Sequence, residues 1–518
     1  MIIAILLSSI VYSQQSVEDG FNLIEARRYN EAITLFTAIV VKDSSNLKAL
    51  NGLAQACNGA GDFPRAIQIY ELSLDKDPSQ SDIWVAYGNL FYNKGNNKKA
   101  AKGYRQAIKY DSTHVRGLNN LAMVLKDLGN YDEAETFFLE AIYFDSTYSL
   151  AMRNLGDIYL KQHKTEKAIL WLEKATSADP QSLYGLYWLG RAHVQNNNIQ
   201  QGIQYFLEVL AQKPDLPQVH HDLGKAYFMN RDYKKALEHV QYALNRNSSM
   251  IPYYITLSHI YDHMHQEKKA FAALQDALTI DRSVAEIYIE RGNIHKNSGR
   301  FEDALKEYNL AALIKPELWI SHYKSGVALY YLLRLDEAET AFLKAEELHP
   351  ESGSTYHFLG MVSLAKDNNK AAEDRLLKAA ELEGTNGDIW FHLGEVQMRT
   401  EQWKDAEKSL LKSYDINSYN AETLYSLGQV YKKRGKLDKS LEYLNKFKEI
   451  EEFERNTESL NKRIRLHPND ITLRLELANL YEDQERVDQA VQILRQAAFL
   501  GSMEAEKKLK IILEINNP

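Results

Sequence analysis

"DIWVAYGNLF" occupies Asp82–Phe91 and "DIWFHLGEVQ" occupies Asp388–Gln397. Both open on Asp-Ile-Trp, and both place a glycine four residues after the tryptophan. Trp84 and Trp390 stand 306 residues apart, which is nine steps of 34. Stepping by 34 from Gly394 in both directions meets thirteen positions between Gly20 and Gly428. Ten are glycine; the others are Ala54, Ala122 and Ser258. Glycine supplies only 25 of the 518 residues, so composition does not produce this alignment. Twelve residues further into each unit runs an alanine series from Ala32 to Ala406, broken by Gly202 and continued by Ser440. Four residues beyond comes a bulky series that includes Phe36, Tyr104, Phe206, Leu410 and Leu444. No insertion or deletion disturbs the register from Ser13 to Glu454.

Within one unit, Trp390, Leu393 and Gln397 recur at i, i+3 and i+7, the spacing of one face of an amphipathic helix. Most units place a bulky residue where Gln397 stands, among them Phe91, Leu125, Tyr159 and Tyr431. A short turn follows. In five units it carries glycine (Gly61, Gly95, Gly129, Gly299, Gly435), suited to a left-handed residue that ends a helix. A second helix, as in "YDEAETFFLEAI" (Tyr131–Ile142), puts the alanine and the bulky residue on one face. The small residues let two helix backbones approach, and the bulky residue fills the space beside them. Pro78, Pro180, Pro214, Pro316 and Pro350 close several units, since proline cannot continue a helix.

These residues resemble the tetratricopeptide repeat, whose pattern is W-x2-L-G-x2-Y, then A-x3-F, then A and P over 34 residues. "WLGRAH" (Trp188–His193), "NLGDIY" (Asn154–Tyr159), "DLGKAY" (Asp222–Tyr227) and "SLGQVY" (Ser426–Tyr431) are close copies of its first half. The resemblance covers thirteen gapless units and a fourteenth at 471–504, with Leu477, Ala478, Tyr481, Ala490, Leu494 and Ala497. It implies an all-α fold: an α-solenoid, a right-handed superhelix of about 14 stacked helix-turn-helix units. The expected division is a signal peptide at 1–13, thirteen repeats at 14–454, an inserted helical extension at 455–470, the fourteenth repeat at 471–504 and a capping helix at 505–518. The insertion, "RNTESLNKRIRLHPND", follows a helix without an obvious breaker, so that helix is expected to run to near Leu466.

The resemblance also implies function: a non-catalytic scaffold that holds a peptide or partner protein in a concave groove lined by the first helices. In the early units the inward positions are polar, and Asn89, Asn119, Asn120, Arg153 and Asn154 form the expected polar groove. Later they turn aromatic or aliphatic, at Tyr184, Tyr187, Phe228, Ile255, Tyr323, Tyr330, Phe391 and Tyr425. Aromatic side chains give contact area at low entropic cost. The bland alternative is that they pack only against neighbouring units. The family's dicarboxylate clamp is not found, and only Asn120 and Asn154 fit its asparagine ladder.

Composition narrows the partner and the chemistry. A net charge of −8 argues against nucleic acid, whose binders carry a basic surplus. Cys57, the only cysteine, forms neither an intramolecular disulfide nor a cysteine-based zinc site. Phosphate loops and nucleophile motifs are absent, and no cofactor is implied. His259 and His263, four apart on one helix face with Asp262 and His265 nearby, are the one pair with metal-ligand spacing, and a metal-dependent enzyme centred on them is the alternative function. The metalloprotease motif needs Glu where Ile260 stands, and solvated groove histidines are the plainer account. An intracellular assembly or regulatory subunit is a third reading.

"MIIAILLSSIVYSQQ" opens the chain with an apolar run from Ile2 to Ile10, and with Val11 and Ser13 at −3 and −1 of a cleavage point before Gln14. It lacks an early Lys or Arg. This pattern predicts export, to the periplasm or the cell exterior; an uncleaved start would leave the chain cytoplasmic. No other stretch is apolar for long enough to span a bilayer. N-terminal sequencing of the mature protein is expected to begin at Gln14, and an intact Met1 removes export.

Overall fold

A computed structural model describes residues 16–515 of the chain. The expected signal peptide, 1–13, lies outside the described residues. Among those described there are 29 α-helices and no strand. They form fourteen helix-turn-helix pairs followed by a closing helix, Met503–Ile515. The chain is thus the all-α solenoid that its period implies. It divides into two compact units at Ala273 and Leu274, inside the helix Glu267–Ile280. Both units are built in the same way.

The close approach of the two helices of a pair is visible at Gly88. A Cβ there would lie 2.6 Å from the Tyr104 ring. That ring cannot swing aside, because its hydroxyl donates to Asn89 Oδ1 at 2.7 Å. Tyr308 repeats the device against Asn293 at 3.0 Å. The bulky residues are buried almost completely: Tyr104 and Phe206 are 1% exposed, and Phe36, Phe138, Phe342 and Leu410 0%. Within each unit, first helices of consecutive pairs touch in most steps, as Ser81–Asn93 touches Val115–Asp127 and Gly387–Arg399 touches Ala421–Lys433. Second helices instead pack on the first helix of the next pair, as Asn97–Tyr110 does on Val115–Asp127. The row of first helices is therefore the more closely spaced, inner side of each unit.

The tryptophans that open the two quoted stretches have one task. Trp84 Nε1 donates to the carbonyl of Pro78, and Trp390 Nε1 to that of Gly384, both at 2.8 Å. In other pairs a different ring fills the same place and reaches the carbonyl six residues back: His220 to Pro214 at 3.0 Å, Tyr254 to Ser248 at 3.1 Å, Tyr288 to Arg282 at 3.2 Å and His322 to Pro316 at 2.9 Å. The ring packs as an apolar surface while its polar edge satisfies a carbonyl in the loop between pairs.

Each turn within a pair contains one residue with positive φ. Five are the glycines named above; the other nine are Arg27, His163, Asn197, Arg231, His265, Leu333, Asp367, Glu401 and Glu485. The residue after each turn donates backward to close it, as Arg334 N does to Leu329 O and Asp62 N to Cys57 O, both at 2.9 Å. This backbone closure is the same whichever side chain occupies the left-handed position.

The thirteenth pair departs from the others. Its second helix, Leu437–Leu466, runs for 30 residues where 14 is usual. The fourteenth pair, Ile471–Asp483 and Val487–Phe499, is tied back by Arg486, whose guanidinium lies 4.5 Å from the Tyr419 ring and 4.4 Å from that of Phe453. Among the described residues no helix is long and apolar enough to cross a membrane.

Leu333 sits at φ 58° with its side chain 81% exposed, so it carries the cost of a left-handed backbone and buries almost nothing in return. Leu333→Gly is expected to stabilise its pair by about 1 kcal/mol. Slower amide hydrogen exchange across 319–348 would register the gain, and faster exchange there would contradict it.

Candidate functional site

The first-helix face of the unit ending at Ala273 begins with a chain of amides. Asn89 Oδ1 accepts from Asn120 Nδ2 at 3.1 Å, Asn119 Nδ2 donates to Asn120 Oδ1 at 3.0 Å, and Asn154 Nδ2 donates to Asn119 Oδ1 at 3.3 Å. Asn89 is exposed and Asn120 half-buried, but Asn119 is fully buried and Asn154 nearly so. The expectation that Asn119 and Asn154 face a groove is corrected here. Both amides are buried, and their hydrogen bond joins neighbouring first helices.

Arg153, half-buried, holds its guanidinium 5.4 Å from the ring of Tyr184, which is 67% exposed. Burial pushes the Arg153 guanidinium below its ordinary value. Tyr187 lies deeper, and its hydroxyl donates to Asp222 at 2.5 Å. Burial works to raise the Asp222 carboxyl, but hydrogen bonds from His221 and Tyr187 hold it below the usual carboxylate range. Burial and the Asp222 charge both push the Tyr187 hydroxyl up. The Tyr187 hydroxyl is thus engaged by Asp222.

Phe228 and Ile255 are half-buried. The Phe228 ring meets His263 edge-on at 4.8 Å and lies 6.4 Å from His259. His263 Nδ1 is 3.0 Å from the backbone carbonyl of His259, so that nitrogen donates its proton within the helix. Among the described residues no three potential ligands converge on a metal position.

In the unit from Leu274 onward, Tyr323 and Tyr330 are half-buried and share one aromatic group. Phe358 stands edge-on to both, at 5.8 and 5.9 Å, and stacks on Phe342 at 5.5 Å. Phe391 requires a correction: it is 7% exposed and belongs to a core cluster with Leu424, Leu427 and Tyr431. Enough of it remains to wall a cleft of about 650 Å³, together with Met398, Tyr425 and Phe447. Tyr425 is 48% exposed, and its ring lies 5.4 Å from Phe447. Phe358 and Phe447 lie outside the positions that the repeat pattern marks as inward. Phe358 sits one residue from the expected inward positions, and Phe447 lies on a second helix.

His357 is buried beside that cleft, with Nε2 3.0 Å from Nδ1 of His392. Burial, and then the neighbouring His392, push the His357 imidazole down to about 4.

Tetratricopeptide repeat profiles match residues 185–250, 251–284, 285–318, 421–453 and 472–507. A profile described as the cilia and flagella-associated protein 70 middle TPR-like domain matches residues 50–183. Together they cover more than half of the chain. The chain is a tetratricopeptide repeat protein. Among curated proteins it is similar to a probable UDP-N-acetylglucosamine–peptide N-acetylglucosaminyltransferase SPINDLY of Hordeum vulgare, 29% identical over 110 residues, and to the general transcriptional corepressor ssn6 of Schizosaccharomyces pombe, 28% over 79 residues. Those matches take in 21% and 15% of this chain, and only 12% and 7% of the relatives' lengths. Among solved structures, the APC/C hetero-tetramer Cut9-Hcn1 is 15% identical at a TM-score of 0.48, covering 98% of this chain and 99% of that one. A tetratricopeptide repeat protein from Parabacteroides merdae is 17% identical at 0.43, covering 48% and 98%. The tetratricopeptide fold is a scaffold for protein–protein interaction.

The His357–His392 pair sets a pH dependence. Unfolded, His357 takes up a proton as pH falls through about 6.5; folded, it resists until about 4. Stability is therefore full above that upper value and declines as pH falls between the two, by on the order of 3 kcal/mol. Hydrogen exchange over 353–399 is expected to accelerate across this window in the wild type and to change much less in His357→Gln. Equal acceleration in both would remove the assignment.

Proposed function

We propose that this tetratricopeptide repeat protein is a non-catalytic scaffold that grips a segment of a partner protein on its first-helix face. The supporting observation is the placement of large side chains there. Tyr184 and Tyr425 are substantially exposed, and Tyr323 and Tyr330 stand at half burial against Phe358. Rings held by neighbours and open on one side present area that an incoming segment can cover without much loss of side-chain freedom. The half-buried Arg153 beside Tyr184 adds a cation to the same surface.

An enzyme reading has less support. The alignment with the barley glycosyltransferase spans too little of that protein to carry its activity across. Export of the scaffold remains part of the proposal and rests on the apolar opening of the sequence.

The test is site-specific photo-crosslinking in an extract of the source cells. A photoreactive residue at Tyr184, Tyr323 or Tyr330 is expected to capture a common partner. The same residue at Leu170 or Leu313, exposed at 50% and 77% on second helices, is expected not to. Equal capture from both faces would defeat the reading. Tyr323→Ala with Tyr425→Ala should abolish capture while leaving helicity unchanged; Phe391 is unsuitable for this purpose because its removal would open the core.

A further inference from the structure

The thirteenth pair departs from the four pairs before it. Three residues past the bulky position of their second helices stands a small residue: Ala311, Ala345, Ala379 and Ser413, each no more than 2% exposed. The next first helix rests there. Ala379 packs with Ile389, and Ser413 Oγ lies 3.0 Å from Thr423 Oγ1. In the thirteenth pair this place is taken by Phe447, the helix runs on to Leu466, and the next first helix begins only at Ile471. The Phe447 ring meets Tyr425 instead, at 5.4 Å, and closes one side of the cleft of about 650 Å³. That volume is in the range of small-ligand pockets.

The walls are apolar and adaptable: Phe391, Met398, Tyr425 and Phe447. The rim is charged. Glu395 and Glu422 line it, and neither makes an ion pair or a hydrogen bond among the described residues. Arg399 sets one cation against these two carboxylates. Covering Glu395, already half-buried, would strip its water, which is unfavourable unless a positive group arrives with the covering segment.

The geometry points to a pocket for one bulky apolar side chain of a partner peptide that carries lysine or arginine beside it. This rests on the reading that the first-helix face holds a partner segment, and it names the chemistry of that segment at one place. Phe447 is the residue that creates the pocket, Tyr425 its exposed lip, and Glu395 with Glu422 its charge selector.

Short fluorescein-labelled peptides with a central phenylalanine flanked by lysine, serine or glutamate, titrated against the full chain by fluorescence anisotropy, test this. Affinity is expected to fall in that order, by about tenfold from lysine to glutamate at low salt. Tyr425→Ala and Phe447→Ala should each weaken the lysine-flanked peptide roughly tenfold. Glu395→Gln combined with Glu422→Gln should erase the lysine preference and leave the serine-flanked peptide unchanged. Should Phe447→Ala disturb the helix by circular dichroism, Tyr425→Ala decides, since that side chain is half exposed. Preference for glutamate, binding indifferent to these variants, or no binding by any peptide would overturn the pocket. Crosslinking from Tyr323 and Tyr330 judges the wider reading separately.

Discussion

Two helix backbones brought together through a residue with almost no side chain make each pair, and everything else follows from that proximity. At Gly88 the space a methyl group would need is already occupied by Tyr104, pinned by Asn89. The pair so formed is thin. It has an apolar outer side that it cannot cover, and only the next pair can cover it. The bulky residue and the small residue three positions after it share this work: one fills the inside of a pair, the other leaves room for the neighbour. In six pairs a ring at the start of the first helix then closes the loop between pairs by donating to a carbonyl six residues earlier, whether the ring is tryptophan, histidine or tyrosine.

The inner surface inherits its character from this spacing. First helices lie close together, so polar residues on them meet one another before they meet anything else. The Asn89, Asn120, Asn119 and Asn154 amides form such a series, and Tyr187 with Asp222 and His221 is a second case. Side chains too large to be absorbed in this way, such as Tyr184 and Tyr425, are left standing out. The surface available to a partner is the remainder after neighbouring pairs have satisfied each other.

That explains which features the sequence disclosed. The period is a property of single residues against the backbone, so Gly394, Ala406 and Leu410 announce it without reference to the rest of the chain. The helix pairs are legible for the same reason. Exposure on the inner face is a property of two pairs at once. Asn119 sits at an inward position and is buried because Asn154 lies across it. Phe391 is drawn into the core by Leu424 and Leu427 of the next first helix. Phe447 is not legible from a single unit, because its effect depends on a helix that does not stop where the others do.

The left-handed corner inside every pair has a consequence for how such a chain can change. Because main-chain atoms alone close each corner, glutamate, leucine or histidine can stand there at a bounded penalty. Whole modules could therefore be copied, removed or shuffled without any junction having to be redesigned. The unbroken count of 34 from Ser13 to Glu454 is what growth by duplication would leave behind, and the long thirteenth helix is where such copying would no longer fit.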